Sequence, residues 1–176
     1  MFLHLHQFFD QEDRFDFLQR IYDFYSWLDI GEGYHLHLDE KESIVWKDFF
    51  SKILKKDNRE QKLISIVNSY CQSIQIDAIN PSSIFKYPAG EQLKLHKDTI
   101  VQDGIRLDSF VSFIFYLNDN YDGGEFYMVN QRDEEVVIKP KSGDIIIIDN
   151  TVLHGSKTVK NNYKFIAVSH SKNIKQ

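Results

Sequence analysis

Cysteine is almost missing from this chain. Cys71 stands alone among 176 residues, which excludes an internal disulfide framework and points to a reducing compartment. Set in IVNSYCQSI, it reads as a small buried hydrophobe on a helix. Blocks of arginine and lysine are lacking as well, and the formal net charge is −5. No phosphate-tracking surface and no nucleic-acid partner are expected from that balance. The opening MFLHLHQFFDQ pairs no basic leader with a long apolar core. Neither a secretion signal nor a membrane span is therefore expected, and a soluble cytoplasmic protein is. At 176 residues and 20.8 kDa, residues 1–176 form most simply a single domain with room for a full core. Oligomeric state is left open.

What is present divides into a helical part, about 10–73, and a strand-rich part, about 74–170. Leu3 to His6 alternates briefly, as an edge strand does. Asp10 is placed to cap a helix over 11–26, with Phe15, Leu18, Tyr22 and Tyr25 at helical spacing. Helices are also expected over 44–56 and 59–73, the latter with Leu63, Ile66, Val67 and Tyr70 on one stripe. From Ile74 the texture changes to short strands near 74–79, 83–88, 91–96, 110–117, 124–129, 134–139, 144–149 and 163–170, with a further short one near 156–159. Strands so closely spaced, with glycine-containing turns, describe a mainly β jelly roll or sandwich against which the N-terminal helices pack.

The chemistry starts at LKLHKDT. In an extended chain His96 and Asp98, two apart, point to the same side and reach one ion. Imidazole with carboxylate suits iron or manganese, and one distant histidine completes the facial triad of non-haem Fe(II) oxygenases. His154 is the candidate: it follows the apolar run Ile145 to Ile148 and a turn at Asp149-Asn150, and Gly155 after it leaves room beside the metal. Lys164, ten residues later in the strand-like YKFIAVSH, lies between Tyr163 and Phe165. An ammonium in an apolar pocket needs an anionic partner, such as the far carboxylate of a dicarboxylic cosubstrate whose other end chelates the metal.

These segments together resemble the prolyl 4-hydroxylase-like branch of the Fe(II)/2-oxoglutarate-dependent dioxygenases. The resemblance rests on YPAGEQLKLHKD from Tyr87 to Asp98, FIFYLNDNYDGGEFYMV, PKSGDIIIIDNTVLHGSKTV and Lys164, in that order over roughly residues 83 to 170. It implies a double-stranded β-helix, the cupin-like jelly roll, in which His96, Asp98 and His154 ligate Fe(II) and Lys164 binds the 5-carboxylate of 2-oxoglutarate. It implies further that Tyr116 assists that carboxylate, that Tyr87 lines the same pocket, and that Phe126 forms part of its wall. O2 is the second cosubstrate of such enzymes, succinate and CO2 are released, and ascorbate serves some as reductant. Asp98 favours hydroxylation, since the related halogenases replace this carboxylate with a small residue. One departure is that many relatives carry tryptophan six residues after the basic residue, where this chain has His170.

Strand parity is consistent with that scaffold. With Tyr116 facing the pocket, Ser112 and Ile114 face it too, while Phe113, Phe115 and Leu117 turn to the helices; Lys164, Ile166, Val168 and His170 share the pocket side of the last strand. The stretches Asp29 to Glu40 and Thr99 to Asp108 flank the expected opening. Within them Arg106 is either a substrate-carboxylate partner or, as the favoured reading, a surface arginine, and His35 and His37 are exposed or substrate-facing rather than a second metal site. Asp122 serves the turn before Gly123-Gly124. The resulting expectation is a hydroxylase of a prolyl or other peptidyl side chain. The alternatives are a hydroxylase of a free amino acid or small metabolite, a cupin-like isomerase or dioxygenase without 2-oxoglutarate, and a non-catalytic jelly-roll module binding a carboxylate or sugar.

Overall fold

A computed structural model describes residues 1–22, 27–29, 34–36, 40–80, 83–102 and 105–175. In chain order its elements are β1 (Phe2–Leu5), α1 (Gln11–Tyr22), β2 (Trp27–Asp29), β3 (Tyr34–Leu36), α2 (Glu40–Lys55), α3 (Arg59–Tyr70), β4 (Ser83–Pro88), β5 (Leu93–His96), β6 (Val101–Gln102), β7 (Ile105–Arg106), β8 (Phe110–Tyr116), β9 (Phe126–Val129), β10 (Glu135–Ile138), β11 (Ile145–Asp149), β12 (Leu153–Ser156) and β13 (Tyr163–Lys172). A seven-stranded sheet runs β1-β11-β8-β13-β4-β3-β2, a four-stranded sheet runs β10-β9-β12-β5, and β6 and β7 form a small hairpin. The named pairings between strands are all antiparallel.

The side-chain period of two divides β8 and β11 between two cores. Phe113, Phe115, Leu117, Ile145 and Ile147 join Phe9, Trp46, Phe50, Leu63 and Val67 beneath the helices, while Ile114, Tyr116, Ile146 and Ile148 join Tyr87, Phe126 and Ile166 between the sheets. β8 and β11 are therefore buried on both faces and read as nearly continuous apolar runs, with Ser112 the one polar residue inside β8 and Asp149 at the end of β11. The parity expected for β8 and β13 holds. The cavity between the sheets is where the functional side chains gather.

Helix α1 begins on a reciprocal cap: Asp13 donates its N–H to Asp10 Oδ1 at 2.9 Å, and Asp10 donates its own to Asp13 Oδ2 at 3.3 Å. The backbone N–H of Asp13 is the main reason the Asp10 carboxyl is held down at about 2. Arg59, buried at the α2–α3 junction, pairs with Asp13 at 2.6 Å and ties the first helix to the other two.

Several expected details are corrected. Residues 74–79 form no strand; Ile74, Ile76 and Ile79 are buried, but their segment is held by side chains. Asn68 accepts from the Ile76 N–H and Asn173 from the Gln75 N–H, doing the work of a sheet ladder. The short strand expected near 156–159 lies earlier, at Leu153–Ser156, so His154 sits within a strand. On α1, Phe15 is exposed and Ile21 buried; on α3, Tyr70 is exposed and Ile64 joins the core. Cys71 lies just after α3, half-buried in extended backbone, with Sγ 3.1 Å from the Ser73 hydroxyl. His35 falls in β3 opposite Phe85 and Arg106 in β7 opposite Val101. Tyr25, His37 and the Tyr22, His35 and Arg106 side chains lie outside the described residues, as does part of each flanking stretch. Among the described residues no helix is long and apolar enough to cross a membrane.

Candidate active site

His96 ends β5 and His154 lies on β12, and the two are direct cross-strand partners. A register shift between the His154 and Ser156 pairings sets Lys94 and Leu95 opposite Gly155 alone. A Cβ on Gly155 would fall 2.6 Å from the Leu93 carbonyl and 2.8 Å from the Tyr127 ring. Glycine at this position thus makes room for the neighbouring strand and a ring as well as opening onto the cavity.

The imidazole centroids are 4.5 Å apart. Each ring is oriented by its own strand: His96 Nδ1 lies 2.8 Å from the Lys94 carbonyl, and His154 Nδ1 lies 3.1 Å from that of Val152. A ring nitrogen facing a carbonyl carries a proton, so in the neutral form of each ring Nε2 is the atom that can ligate a metal. Both turn to Asp98 Oδ1, at 3.3 Å from His96 and 3.7 Å from His154. Phe126 stacks on His154 at 5.6 Å. All three ligand atoms lie within 4.8 Å of one another.

Asp98 is ionised throughout the neutral range. Burial pushes its pKa up, but the His96 ring, the nearby His154, the Ser112 hydroxyl and His170 overcome that and hold it at about 2. Burial lowers the His154 and His170 pKa values below the ordinary imidazole value, against the pull of Asp98. Ser112 donates its hydroxyl proton to Asp98 Oδ2 and lies 3.1 Å from His170 Nδ1, so the carboxylate is oriented through β8 from β13.

The same cavity ends on Lys164. This side chain is 1% exposed, and its ammonium donates to the Gly124 carbonyl at 2.9 Å and to the Ser156 hydroxyl at 2.7 Å. It also faces the rings of Tyr116 at 5.3 Å and Tyr87 at 5.6 Å. Among the described residues no carboxylate pairs with it, and burial, with little relief from Glu125, brings its pKa down to about 7. Gly124 has φ of +64°, and a Cβ there would crowd the Lys164 stem at 3.3 Å and Tyr121 at 3.0 Å. Glycine at this turn both permits the conformation and clears the lysine's path. A buried cation held only by neutral oxygens is a receptor for an anion.

His96, Asp98, His154, Lys164, Tyr87, Tyr116 and Phe126, each singled out in the sequence, all line this one cavity, as do Ile114 and His170. Burial drives the Tyr116 hydroxyl pKa well up, so it is a neutral hydrogen-bond donor at any ordinary pH. Ser156 was not anticipated; reading 153–156 as a strand would have put it on the face of His154, two positions on. Asp122 does hold the turn before the paired glycines, through Asn161 at 2.8 Å and 2.6 Å. Two imidazoles that turn Nε2 inward, one ionised carboxylate and a deep ammonium without a carboxylate partner among the described residues fit ferrous iron chelated by a dicarboxylate.

Residues 82–170 match the family model of the 2OG-Fe(II) oxygenase superfamily. The chain belongs to that superfamily, whose members are iron- and 2-oxoglutarate-dependent dioxygenases. No curated protein sequence matches it. Its fold is shared by solved structures of low identity. A prolyl hydroxylase from Trichoplax adhaerens, in complex with a hypoxia inducible factor peptide fragment, is 17% identical with a TM-score of 0.71, covering 98% of this chain and 83% of that one. The viral collagen prolyl hydroxylase of Paramecium Bursaria Chlorella virus-1 with 2-oxoglutarate is 18% identical with a TM-score of 0.67, covering 97% and 95%. HygX from Streptomyces hygroscopicus with nickel, 2-oxoglutarate and hygromycin B is 14% identical with a TM-score of 0.72, covering 98% and 83%. The double-stranded β-helix expected from the sequence is the fold of the chain.

Proposed function

We propose that this oxygenase hydroxylates an unactivated C–H bond of a prolyl or other peptidyl side chain, with His96, Asp98 and His154 as the iron ligands and Lys164 as the anchor for the 5-carboxylate of 2-oxoglutarate. The observation that carries the assignment is the buried Lys164 ammonium, without an anionic partner among the described residues, in the cavity that the two histidines and Asp98 line. When bound, the iron and its cosubstrate supply the O2 activation that ends in succinate, CO2 and a hydroxylated product. The chain supplies the rest. His96 and His154 present Nε2 lone pairs already aimed by carbonyls, so little reorganisation accompanies binding. Asp98 contributes the negative charge, steadied by Ser112. Tyr87, Tyr116, Phe126 and Ile166 line the inner pocket and exclude water from it.

Peptide is the favoured substrate because the metal-binding end of the cavity is the open one: the His96 side chain is 34% exposed and that of Asp98 17%, against 1% for Lys164 at the other end. A protruding loop can reach that rim without a deep substrate chamber. The Trichoplax neighbour holding a peptide fragment is consistent with this reading. HygX, whose neighbouring fold binds hygromycin B, supports a small-molecule substrate as the second reading. The test is iron-dependent succinate release with peptide, amino-acid and aminoglycoside panels, read together with a product mass gain of one oxygen. Stimulation by prolyl or other peptides carries the proposal; stimulation only by small molecules replaces it with the second reading; no succinate under any condition defeats both.

A further inference from the structure

Strand β1 ends in a turn at His6 and Gln7, and Gln7 takes φ of +49°, a left-handed backbone that a residue other than glycine seldom adopts. The turn wraps around the carboxylate of Asp144, which is 1% exposed. Gln7 donates its N–H to Asp144 Oδ1 at 2.9 Å, and Lys141 donates its own to Oδ2 at 2.9 Å. Two imidazoles meet the same Oδ2: His4 Nε2 at 2.8 Å and His6 Nδ1 at 3.4 Å. Their rings are 4.0 Å apart, and the three ligand atoms lie within 4.8 Å of one another. None of the three residues lines the cavity of the candidate active site.

We infer that His4, His6 and Asp144 form a second metal site, for a borderline divalent ion of the zinc class, that clamps β1 to the turn preceding β11. A hydrogen-bonded staple accounts for only part of the arrangement. His4 and the two backbone N–H groups already satisfy the carboxylate, whereas His6 stands at 3.4 Å with its side chain 73% exposed and still faces Oδ2 through a turn of unfavourable φ. Three donors from two imidazoles and a carboxylate, with a fourth position open to water, is a zinc donor set. In a tetrahedral site with bonds of about 2.0–2.1 Å, neighbouring ligand atoms lie roughly 3.3 Å apart. The His6 separation already has that value, and His4 needs to open by only about half an ångström to reach it.

Burial pushes the Asp144 pKa up, but the N–H groups of Lys141 and Gln7 and the His4 ring overcome it and keep the carboxyl below its ordinary value. The same N–H groups would orient the ligating carboxylate from behind, as outer partners of metal ligands do. On binding, the ion takes the Nε2 lone pair of His4, and the ring's remaining proton sits on Nδ1. The ion then links an edge strand to the loop whose Asp144 carbonyl accepts from the Tyr116 N–H at 3.0 Å.

The test uses the full chain without a histidine tag, at pH 7.5, titrated with Zn2+ alone against a chromophoric chelator. The proposal expects two equivalents in the wild type and one in His6→Ala and in His4→Ala, with the second ion raising Tm by about 3–6 °C in the wild type only. The high exposure of His6 makes its substitution compatible with the fold, and His6→Gln repeats the test with a polar side chain. Retention of both equivalents in His6→Ala and His6→Gln overturns the proposal, as does one equivalent in wild type and variants alike. His154→Ala, which removes a ligand of the cavity instead, should keep one equivalent and its Tm shift. Loss of that remaining equivalent also overturns the assignment. The outcome is independent of whether the cavity is catalytic.

Discussion

The Ser112 hydroxyl stands between Asp98 and His170, donating to the Asp98 carboxylate and lying 3.1 Å from His170 Nδ1. Ser112 is fully buried on β8, so the hydroxyl cannot trade this contact for water. Its removal leaves Asp98 Oδ2 desolvated and free to rotate. Ser112→Ala is expected to weaken Fe(II) or Co(II) binding by about 10–100-fold, the usual cost of losing an outer partner of a metal ligand. Metal titration measures it; an unchanged affinity would show that Asp98 is held by the histidines alone.

Lys164 makes the site pH-dependent with a definite sign. Its pKa in the folded chain is about 7, against about 10.4 in an unfolded one. The cost of burying the charged form is fully present below pH 7 and is relieved as pH rises from 7 toward the unfolded value. The metal-free, cosubstrate-free protein should therefore gain stability over that interval. With Lys164 as the proposed anchor, binding of 2-oxoglutarate above pH 7 should take up a proton and weaken by up to about tenfold per pH unit. Calorimetry in buffers of different ionisation heat reads the uptake directly. Lys164→Met should abolish both effects and sharply weaken use of 2-oxoglutarate.

His154→Ala should abolish iron-dependent succinate release, since it removes a proposed ligand whose ring is already positioned and nearly inaccessible to solvent. Because burial depresses the His154 pKa, metal binding should persist to more acid pH than an ordinary imidazole allows. Cobalt absorbance followed during acid titration checks this. Release of the ion at or above the ordinary imidazole value would contradict it.

Gly155→Ala should separate β12 from β5, because the new Cβ meets the Leu93 carbonyl at 2.6 Å and the Tyr127 ring at 2.8 Å. A loss of about 1–3 kcal/mol in stability is expected from overpacking of this kind. Metal affinity should fall with it, since the same pairing sets the distance between His96 and His154. Urea denaturation and metal titration on one preparation test the coupling.

Arg59→Met should cost less than the about 3–5 kcal/mol of a stranded buried carboxylate, because Lys56 still meets Asp13 Oδ1 at 3.0 Å. The Arg59 and Asp13 side chains are 7% and 2% exposed, and their 2.6 Å contact ties the helices together far from the cavity. Chemical denaturation should report that loss, with metal affinity unchanged.

The site was unusually legible in the sequence because its side chains obey a two-residue period. His96 and Asp98 face one way, and Lys164 and His170 share the inner face of β13, so parity alone brings them toward one cavity. What escaped had no periodic signature. Ile74, Ile76 and Ile79 alternate as a strand would, yet Asn68 and Asn173 satisfy that backbone from distant positions. Phe15 and Tyr70 fit an apolar helical stripe and still face outward, because sheet contact decides which stripe is buried. The His4–His6–Asp144 cluster joins residues 140 apart, which no local pattern connects.

The His96 and His154 imidazoles belong to the four-stranded sheet and the Lys164 ammonium to the seven-stranded one. The reach available to a doubly charged guest is accordingly set by how far apart the two layers stand, and the apolar side chains wedged between them act as a spacer. Trimming Ile146 or Ile166, two apolar members of that spacer, should shift preference among diacids of different chain length.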